Sequence, residues 1–420
     1  MNVKLVPTSL SGRVDMPASK SYAHRMLITA AFSNAESVLI GDLSSDDLTT
    51  TMLVLTAFGA RFNAVKGGMK ITPAVIKKHA VASCGESGST LRFAVPIAAA
   101  LGIETTFVGA LRLGERPMQE LLDCLVEHGV KVLEHGFPFS ISGKLSAGDY
   151  VIDGSRSSQF VSGLLLALPL LDGDSTLTVR GTSSSAAYID ITVDVLRQSG
   201  VQINRQGDTY FIRGGGYSVA GERKVEGDWS NAAFWMVGGL LGDEISIGNL
   251  NPDSLQGDMR VLELLRQAGG DMHWSGDRLI VKRSALNSIS FDADGIPDSV
   301  PAMAVALAAA NGASVITGVK RLRIKESDRL ATVTDMLKSL GVFVEYDEAK
   351  DTLMIIGVPQ FDGGKVFSHN DHRLAMAGAV AAAHARSAVT VVGAEAVKKS
   401  YPKFFLDYEI LGGSVCRLHA

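Results

Sequence analysis

The stretch Ser339-Leu340-Gly341-Val342-Phe343-Val344 has the pattern of a helix that ends at a glycine and passes directly into a strand. Five further stretches of the 420-residue chain share this pattern. The first glycines of the six stretches are Gly59, Gly129, Gly200, Gly269, Gly341 and Gly412. Successive glycines are 69 to 72 residues apart, so the chain consists of six repeats of one unit.

A second pattern recurs at the same interval. A short polar loop opens into a run rich in Ala, Leu and Gly, and the six runs begin near Ser21, Ser89, Ser158, Ser230, Ser299 and Asp371. Small residues on every face predict helices buried against other helices, as over residues 22–32 and 300–310. The helix that ends at each repeated glycine is instead amphipathic, as over 259–268 and 330–340, and strands follow it, as over 201–203. Each unit therefore has the predicted order β-α-β-α-β-β.

The length of the repeat argues against a helical solenoid, whose repeats are shorter and contain no such strands. Six units divide naturally into two sets of three. The middle of the chain, around residues 214–228, is rich in glycine and charge, which is typical of a crossing between domains. The fold class that we predict is therefore α/β, with two domains that each contain three repeats, and with a crossing near residues 225–227.

Composition excludes several classes of protein. With 46% hydrophobic and 20% charged residues, the chain can bury large cores. Its apolar runs are shorter than the roughly 18 residues that a membrane span needs, and Met1-Asn2-Val3-Lys4 does not begin a secretory signal. Three cysteines in no metal-binding spacing fit a reducing compartment. A net charge of −4 argues against nucleic acid as a partner. We expect a cytoplasmic monomer that acts on small molecules and engages neither nucleic acid nor membranes.

The loops that open the helices are basic although the chain as a whole is mildly acidic. Seven cations lie at or beside the repeated landmarks: Lys20, Arg25, Arg116, Lys325, Arg329, Arg373 and Lys399. Helix N-termini with arginines beside them bind phosphates and carboxylates. Each cation taken alone fits a solvated surface equally well, but their shared period favours a binding site for anions.

Six segments together resemble the enolpyruvyl transferase family. They are Lys20-Ser21-Tyr22-Ala23-His24-Arg25, Gly85-Glu86-Ser87-Gly88-Ser89-Thr90-Leu91-Arg92, Gly114-Glu115-Arg116-Pro117-Met118, Ser157-Ser158-Gln159-Phe160, Lys325-Glu326-Ser327-Asp328-Arg329-Leu330 and Asp371-His372-Arg373-Leu374-Ala375-Met376. The resemblance runs from Pro17 to Pro402 and includes all six repeats. It is most similar to the branch of the family whose acceptor is shikimate 3-phosphate.

That resemblance implies a fold and a reaction. The fold is two domains, each a threefold βαβαββ repeat with its helices inside (an inside-out α/β barrel), which close on the substrates. One domain is discontinuous, over 1–18 and 228–420, and the other covers 19–227. The reaction transfers the enolpyruvyl group of phosphoenolpyruvate to the 5-hydroxyl of shikimate 3-phosphate by addition and elimination. It releases phosphate on the route to chorismate and the aromatic amino acids. No metal and no other cofactor is expected.

The resemblance also implies roles for individual residues, matched motif by motif. The expected acid–base residues are Asp298, Glu326 and Lys20. The expected contacts to shikimate 3-phosphate are Lys20, Ser21, Arg25, Ser157, Ser158, Gln159, Ser185, Tyr188, Asp298, Arg321 and Lys325. The expected contacts to phosphoenolpyruvate are Lys20, Gly88, Arg116, Gln159, Arg329, Arg373 and Lys399. The division of proton transfers among the three acid–base residues stays open at this point.

Other interpretations remain beside these. Two positions depart from the usual family pattern, since Glu86 and Arg321 stand where many members carry Asn. Ser157 and Ser158 also suit an ordinary helix cap, and Asp298 suits a cap on the following helix. The alternative functions are enolpyruvyl transfer to UDP-N-acetylglucosamine and a non-catalytic relative that binds anions. The chain lacks a cysteine over residues 108–117, where the UDP-N-acetylglucosamine enzymes usually carry a reactive one.

Overall fold

The helices follow the predicted six-unit order. The structure is a computed structural model that describes residues 1–134, 136–181 and 186–418. Its α-helices are α1 (Lys20–Ala31), α2 (Asp46–Phe58), α3 (Gly88–Leu101), α4 (Leu111–Gly114), α5 (Gln119–Glu127), α6 (Ser158–Ala167), α7 (Ala186–Gln198), α8 (Trp229–Leu241), α9 (Arg260–Gln267), α10 (Val300–Ala308), α11 (Arg329–Ser339), α12 (His372–Ala381) and α13 (Phe404–Ile410). Short 3₁₀ helices cover Leu168–Leu170, Gly257–Met259, Lys320–Ile324, Ala382–His384 and Ala394–Lys399.

The chain forms two compact units. The split unit comprises Met1–Pro17 and Gly227–Ala420, and the continuous unit comprises Ala18–Glu226. Over the described ranges, each unit contains three sheets of four strands.

The three sheets of the continuous unit share one arrangement of strands. In spatial order, the strands are Gly221–Lys224, Ser37–Ile40, Gly68–Thr72 and Arg61–Val65; His79–Ser83, Glu104–Val108, Phe139–Ser142 and Lys131–Val132; and Asp149–Asp153, Ser175–Arg180, Thr209–Ile212 and Ile203–Gln206. In each sheet the first two strands pair in parallel and the other pairs are antiparallel.

The split unit repeats this arrangement. Its sheets are Gly364–Phe367, Val389–Val392, Asn2–Val6 and Ser414–Leu418; Gly12–Asp15, Ile245–Gly248, Arg278–Lys282 and Asp271–Ser275; and Ser290–Asp292, Ala313–Thr317, Thr352–Ile356 and Phe343–Asp347. Again the first pair is parallel and the others are antiparallel.

Helices lie inside each unit and sheets lie outside. In the split unit α8, α10 and α12 pack against one another, and every residue of the three is buried. Their Ala- and Gly-rich sequences allow this close approach, as the predicted all-round apolar pattern requires. The amphipathic helices such as α11 bury one face only. This confirms the predicted α/β fold of threefold repeats.

Several predicted boundaries shift. Helix α1 begins at Lys20 rather than at residue 22, because the Ser19 side chain accepts a hydrogen bond from the Tyr22 N–H and caps the helix. Lys20 therefore lies in a helix and not in a loop. The strand predicted at 201–203 begins only at Ile203. No helix in the described part of the chain is long and apolar enough to span a membrane.

Candidate active site

One buried arginine organises the polar cluster of the split unit. Arg329, the first residue of α11, is 1% exposed. Its Nη1 donates to Asp298 Oδ1 at 2.6 Å, and its Nη2 donates to Glu326 Oε2 at 2.6 Å. Its Nε donates to Asp371 Oδ2 at 2.7 Å. A single guanidinium therefore holds both carboxylates that the sequence predicted for acid–base chemistry.

Asp371 and Arg373 connect this cluster to the buried helices. Asp371 caps α12 by accepting from the Arg373 N–H at 2.9 Å. The guanidinium of Arg373 donates to Ser230 Oγ at 2.6 Å and to Asn231 Oδ1 at 3.2 Å in the first turn of α8. Its Nη2 also lies 3.7 Å from Asp298 Oδ2. Arg373 and Arg329 thus reach the same carboxylate from two different helices.

The charges of the cluster set its protonation. Burial alone would raise the pKa of Asp298, but the cations Arg329, Lys325 and Arg373 hold it well below its usual range, so the carboxylate is ionised. Burial lowers the pKa of the Lys325 ammonium, against the attraction of Asp298. Asp298 is therefore ionised, and the Lys325 ammonium gives up its proton more readily than an exposed lysine does.

Asp258 is a buried member of this cluster that the sequence did not predict. It lies in the 3₁₀ turn before α9 and accepts from Ser299 Oγ at 2.6 Å. Burial, followed by the charge of Asp298, raises its pKa to about 6. Its signal in the sequence is weak, because it stands at the start of an amphipathic helix rather than in one of the basic polar loops.

Asp258 makes stability depend on pH with a definite sign. Because its pKa is raised, the folded state holds the proton more tightly, so the contribution of Asp258 to stability is present below pH ~4 and is lost as pH rises through about 6. Asp258→Asn removes this dependence, and its amide oxygen still accepts from Ser299. The free energy of unfolding of the variant relative to wild type should therefore rise by about 2 kcal/mol from pH 4 to pH 7. Urea titrations at both pH values measure it. The exposed Asp277→Asn is the control. If the free energy of unfolding relative to wild type did not change with pH for either variant, the expectation would be contradicted.

Two further predicted residues lie near the edges of the split-unit cluster. Arg321 lies in the 3₁₀ helix before Lys325, and its Nη1 is 3.3 Å from Asp294 Oδ1. Lys399 ends another 3₁₀ helix, and its Nζ donates to the Asn370 carbonyl at 2.5 Å. Asn370 immediately precedes Asp371, so Lys399 is tied to the loop that also positions Arg329.

The continuous unit carries a second cluster, beginning at the first turn of α1. Lys20 Nζ donates to Asp47 Oδ2 at 2.8 Å, and both side chains are largely buried. Asp47 lies in the first turn of α2. The predicted catalytic lysine is therefore held by a carboxylate from the neighbouring helix.

Arg25 lies deep between helices. Its Nε donates to Thr192 Oγ1 at 2.7 Å, and its Nη2 donates to the Tyr188 carbonyl at 2.9 Å and to Ser162 Oγ at 3.2 Å. Its Nη1 donates to the Ser21 carbonyl at 2.6 Å. Burial lowers the pKa of Arg25 to about 10, so it remains charged at neutral pH. This guanidinium joins α1, α6 and α7, and Tyr188 contributes its backbone here.

Gly88 and Arg116 are in direct contact. Gly88 is the first residue of α3, and a Cβ at this position would lie 2.6 Å from Arg116 Nη1 and 3.0 Å from its Cζ. The missing side chain therefore leaves the room that the guanidinium occupies. The two residues were predicted from separate segments as contacts of one anion.

Arg92 is a buried cation that lies within a predicted motif but had no predicted role. Its Nη1 donates to Gln159 Oε1 at 2.6 Å, and its Nη2 donates to the Pro117 carbonyl at 2.9 Å. Gln159 Nε2 then donates to Ser89 Oγ at 2.8 Å. An arginine directly before the apolar run of α3 was the available signal. Through these bonds Arg92 links α3, which begins at Gly88, to the segments that contain Gln159 and Arg116.

The remaining predicted residues divide between described and undescribed parts of the chain. Ser157 caps α6 by accepting from the Gln159 N–H at 3.3 Å, and Ser158 is the first residue of that helix. The capping interpretation of Ser157 is thus correct. Ser185 lies outside the described residues.

Gly88→Ala tests the contact with Arg116. The new Cβ displaces only the end of a flexible side chain, so stability should change by less than about 0.5 kcal/mol. Given the anion contact that the sequence predicts for Arg116, displacing the guanidinium should cost about 1.4 kcal/mol, which is tenfold in the KM for that anion. Steady-state kinetics measures this. In an Arg116→Lys background the alanine should add little, and a full additional loss there would refute the role of Arg116.

Known proteins resemble the chain over almost its whole length. Residues 6–407 match a family model described as EPSP synthase (3-phosphoshikimate 1-carboxyvinyltransferase). Relatives named 3-phosphoshikimate 1-carboxyvinyltransferase include those of Clostridium novyi, 36% identical over 99% of this chain and 98% of the relative, and Clostridium kluyveri, 38% identical over 98% of each.

Solved structures give the same result. An EPSP synthase from Acinetobacter baumannii has a TM-score of 0.82 at 26% identity, covering 99% of this chain and 100% of that one. The enolpyruvyl transferase NikO from Streptomyces tendae has a TM-score of 0.81 at 18% identity, covering 100% of this chain and 99% of that one, and this likeness concerns the fold alone.

Proposed function

The chain belongs to the EPSP synthase (3-phosphoshikimate 1-carboxyvinyltransferase) family of transferases, and from this premise we propose that it transfers the enolpyruvyl group of phosphoenolpyruvate to the 5-hydroxyl of shikimate 3-phosphate. Phosphate is the second product, and the reaction serves aromatic amino-acid biosynthesis through chorismate. One observation of the structure carries the proposal. The buried guanidinium of Arg329 binds Asp298 and Glu326 at 2.6 Å each. A cation that can bind an anionic substrate therefore lies in direct contact with the two carboxylates proposed for proton transfer.

Phosphoenolpyruvate carries a phosphate and a carboxylate, and the proposed contacts are mainly cations. They are Lys20, Gly88, Arg116 and Gln159 of the continuous unit, and Arg329, Arg373 and Lys399 of the split unit. Guanidinium groups suit both anionic groups because they donate two parallel hydrogen bonds. Gly88 contributes space for Arg116 rather than a side chain.

Shikimate 3-phosphate requires donors for a phosphate and for ring hydroxyls. The proposed contacts are Lys20, Ser21, Arg25, Ser157, Ser158, Gln159, Ser185 and Tyr188 of the continuous unit, with Asp298, Arg321 and Lys325 of the split unit. Arg25 supports this role mainly through its position, because most of its N–H groups already donate to Ser21, Ser162, Tyr188 and Thr192. The guanidinium is still positively charged, and its bond to the Ser21 carbonyl places that charge near the start of α1, where it favours a bound anion.

The proton transfers are assigned to the two carboxylates that Arg329 binds. The 5-hydroxyl oxygen attacks C2 of phosphoenolpyruvate, its proton passes to Asp298, and a proton from Glu326, assisted by Lys20, is added to C3. Elimination then returns the C3 proton to the enzyme as the C–O bond to phosphate breaks, and the hydroxyl proton held by Asp298 leaves with the phosphate. With Arg329 bound to Asp298, the carboxylate is a weak base, since the cation lowers its pKa. When Arg329 turns to an anionic substrate, the basicity of Asp298 rises where it is needed.

The remaining features of the proposal concern the whole protein. The split and continuous units are proposed as its two domains. We expect a cytoplasmic monomer whose partners are small molecules, with no nucleic acid and no membrane among them. The net charge of −4 supports the first of these exclusions.

Phosphate release tests the function directly. Phosphoenolpyruvate is supplied in parallel with shikimate 3-phosphate and with UDP-N-acetylglucosamine, and inorganic phosphate is measured. Release with shikimate 3-phosphate alone is the expected result. Release only with UDP-N-acetylglucosamine would reassign the acceptor. Binding of both ligands without any release would identify a relative that has lost the chemistry.

A further inference from the structure

Four buried polar side chains form a continuous chain through three helices of the continuous unit. His24 Nδ1 lies 2.7 Å from Thr51 Oγ1, and Thr51 Oγ1 lies 2.7 Å from Thr90 Oγ1. The Thr90 hydroxyl donates to Ser87 Oγ at 2.8 Å. All four residues are buried, at 1% to 2% exposure. We name this set the His24 relay.

The direction of the hydrogen bonds fixes the form of the histidine. Thr90 uses its one hydroxyl hydrogen on Ser87, so Thr90 accepts from Thr51. Thr51 then has no hydrogen left for His24 and accepts from it. His24 must therefore carry a hydrogen on Nδ1.

The surroundings of the ring keep it neutral. His24 Nε2 is buried, with no hydrogen-bonding partner among the residues that the structure describes. The ring meets the Phe93 ring edge-on at 6.4 Å. Burial and the neighbouring charges of Lys20 and Arg25 lower the pKa of His24 well below its ordinary value. A second hydrogen, on Nε2, would make the ring positively charged and would have no hydrogen-bond acceptor among the described residues.

The relay runs parallel to the contact that holds Lys20. Lys20 and His24 are four residues apart on α1, and Asp47 and Thr51 are four residues apart on α2. Residues at this spacing share one face of a helix, so the bond from His24 to Thr51 lies one turn below the bond from Lys20 to Asp47. These two bonds fix α1 against α2 at the end where Lys20 lies.

The other end of the relay reaches the first turn of α3. Ser87 caps this helix by accepting from the Thr90 N–H at 3.3 Å, and the next residue, Gly88, contacts Arg116. The relay therefore connects the helix of Lys20 with the helix start that leaves room for Arg116. A lost hydrogen bond at His24 would leave Thr51 with an unsatisfied acceptor and loosen both ends.

We propose that His24, neutral and with its hydrogen on Nδ1, is a positioning residue that holds the Lys20 and Gly88 helix starts in register for phosphoenolpyruvate. This rests on the proposed function. His24 acts through Thr51, Thr90 and Ser87 and does not contact the substrate itself. The conservative replacement is therefore not another titratable group but a side chain that keeps one donor at the position of Nδ1.

Matched variants test the donor. The Asn amide nitrogen overlies histidine Nδ1, whereas the Gln amide nitrogen lies one carbon farther out and Leu has no donor. We expect His24→Leu and His24→Gln to raise the KM for phosphoenolpyruvate about tenfold, the cost of one buried bond, with kcat lowered less than about threefold. The KM for shikimate 3-phosphate should change less. His24→Asn should lie within about twofold of wild type on the same reasoning. Equal losses for Asn and Leu, or no loss for Leu, would overturn the proposal.

A double-mutant cycle separates positioning from general destabilisation. Thr51→Val is nearly isosteric and should repeat the KM effect of His24→Leu, and the two changes together should cost no more than either alone. Thr105→Val removes another fully buried hydroxyl of the same unit, one that donates to the Ile103 carbonyl at 3.0 Å, and should leave the KM unchanged. Additive effects of His24→Leu and Thr51→Val would contradict the relay.

The nitrogen spectrum of histidine gives a readout that does not need turnover. In ¹⁵N-histidine-labelled protein, assigned by comparison with His24→Asn, His24 should show a protonated Nδ1 and an unprotonated Nε2 from pH 6 to pH 8. If the wild-type protein released no phosphate, the proposed function would be overturned. The ¹⁵N spectrum would still test the hydrogen-bond directions in the His24 relay. A proton on Nε2, or titration of the ring in this range, would overturn the relay.

Discussion

Asp298→Asn should lower kcat by about three orders of magnitude, because it removes the proposed acceptor of the hydroxyl proton and general acid–base groups contribute about 10² to 10⁴. The amide oxygen of Asn still accepts from Arg329, and Arg329 keeps Glu326 and Asp371, so the fold should persist. Single-turnover measurements with both substrates separate this loss in chemistry from a loss in binding.

Asp371→Asn is the matched control for Asp298→Asn. Asp371 binds the same guanidinium but is fully buried. Asn keeps the cap on α12 and removes the charge that faces Arg329, so this variant should lose stability while its chemical step changes little. A loss in kcat of less than about tenfold for folded Asp298→Asn would exclude it as the base. Equal kcat losses in both variants would show that positioning of Arg329 is the common cause.

Arg329→Ala should cost about 3 to 5 kcal/mol of stability in the split unit, because it leaves Asp371 as a buried charge without its main partner and removes a bond from Asp298 and Glu326. The three tryptophans of the chain, Trp229, Trp235 and Trp274, all lie in this unit. Tryptophan fluorescence during urea unfolding therefore reports the split unit selectively, which a two-unit protein requires. Activity should be lost as well.

Two variants frame this result. Arg329→Lys keeps the charge but not the planar fork that meets three carboxylates, so it should lie between wild type and the alanine variant. Arg417→Ala breaks an exposed pair with Glu409 in the same unit and should cost less than about 1 kcal/mol. Suppose that Arg329→Ala and Arg417→Ala are both close to wild type in their free energy of unfolding. The buried cluster would then contribute no more to stability than a surface ion pair.

The repeats were predictable because they depend on local backbone and local periodicity. A glycine with positive φ follows each of the six amphipathic helices where the repeat turns into a strand, and Gly341, with φ of 83°, is one case. The buried helices were recognisable because apolar residues, many of them Ala or Gly, occur on all faces of α8 and α10 rather than on one stripe. Boundaries were less accurate, since the cap at Ser19 moved Lys20 into a helix.

The types of residue at the candidate site were also visible in the sequence, as cations and carboxylates beside helix starts. Their pairing was not. Arg25, 167 residues before Thr192, turns into the space between three helices. Arg92 binds Gln159, and Asp258 accepts from Ser299, through contacts across the helix packing. Arg92 belongs to a quoted motif that gave it no role, and Asp258 lies in a 3₁₀ turn outside the motifs, so the sequence did not predict a role for either.

Short-range information in the chain was therefore sufficient for the six units, their helix and strand order and the anionic character of the ligands, because glycine conformation, capping and hydrophobic period act over a few residues. Folding decided which carboxylates meet Arg329, which amide meets Arg92 and which tautomer His24 adopts. Each of these choices depends on distances between helices far apart in sequence, and on the loss of water that makes an unpaired buried group costly.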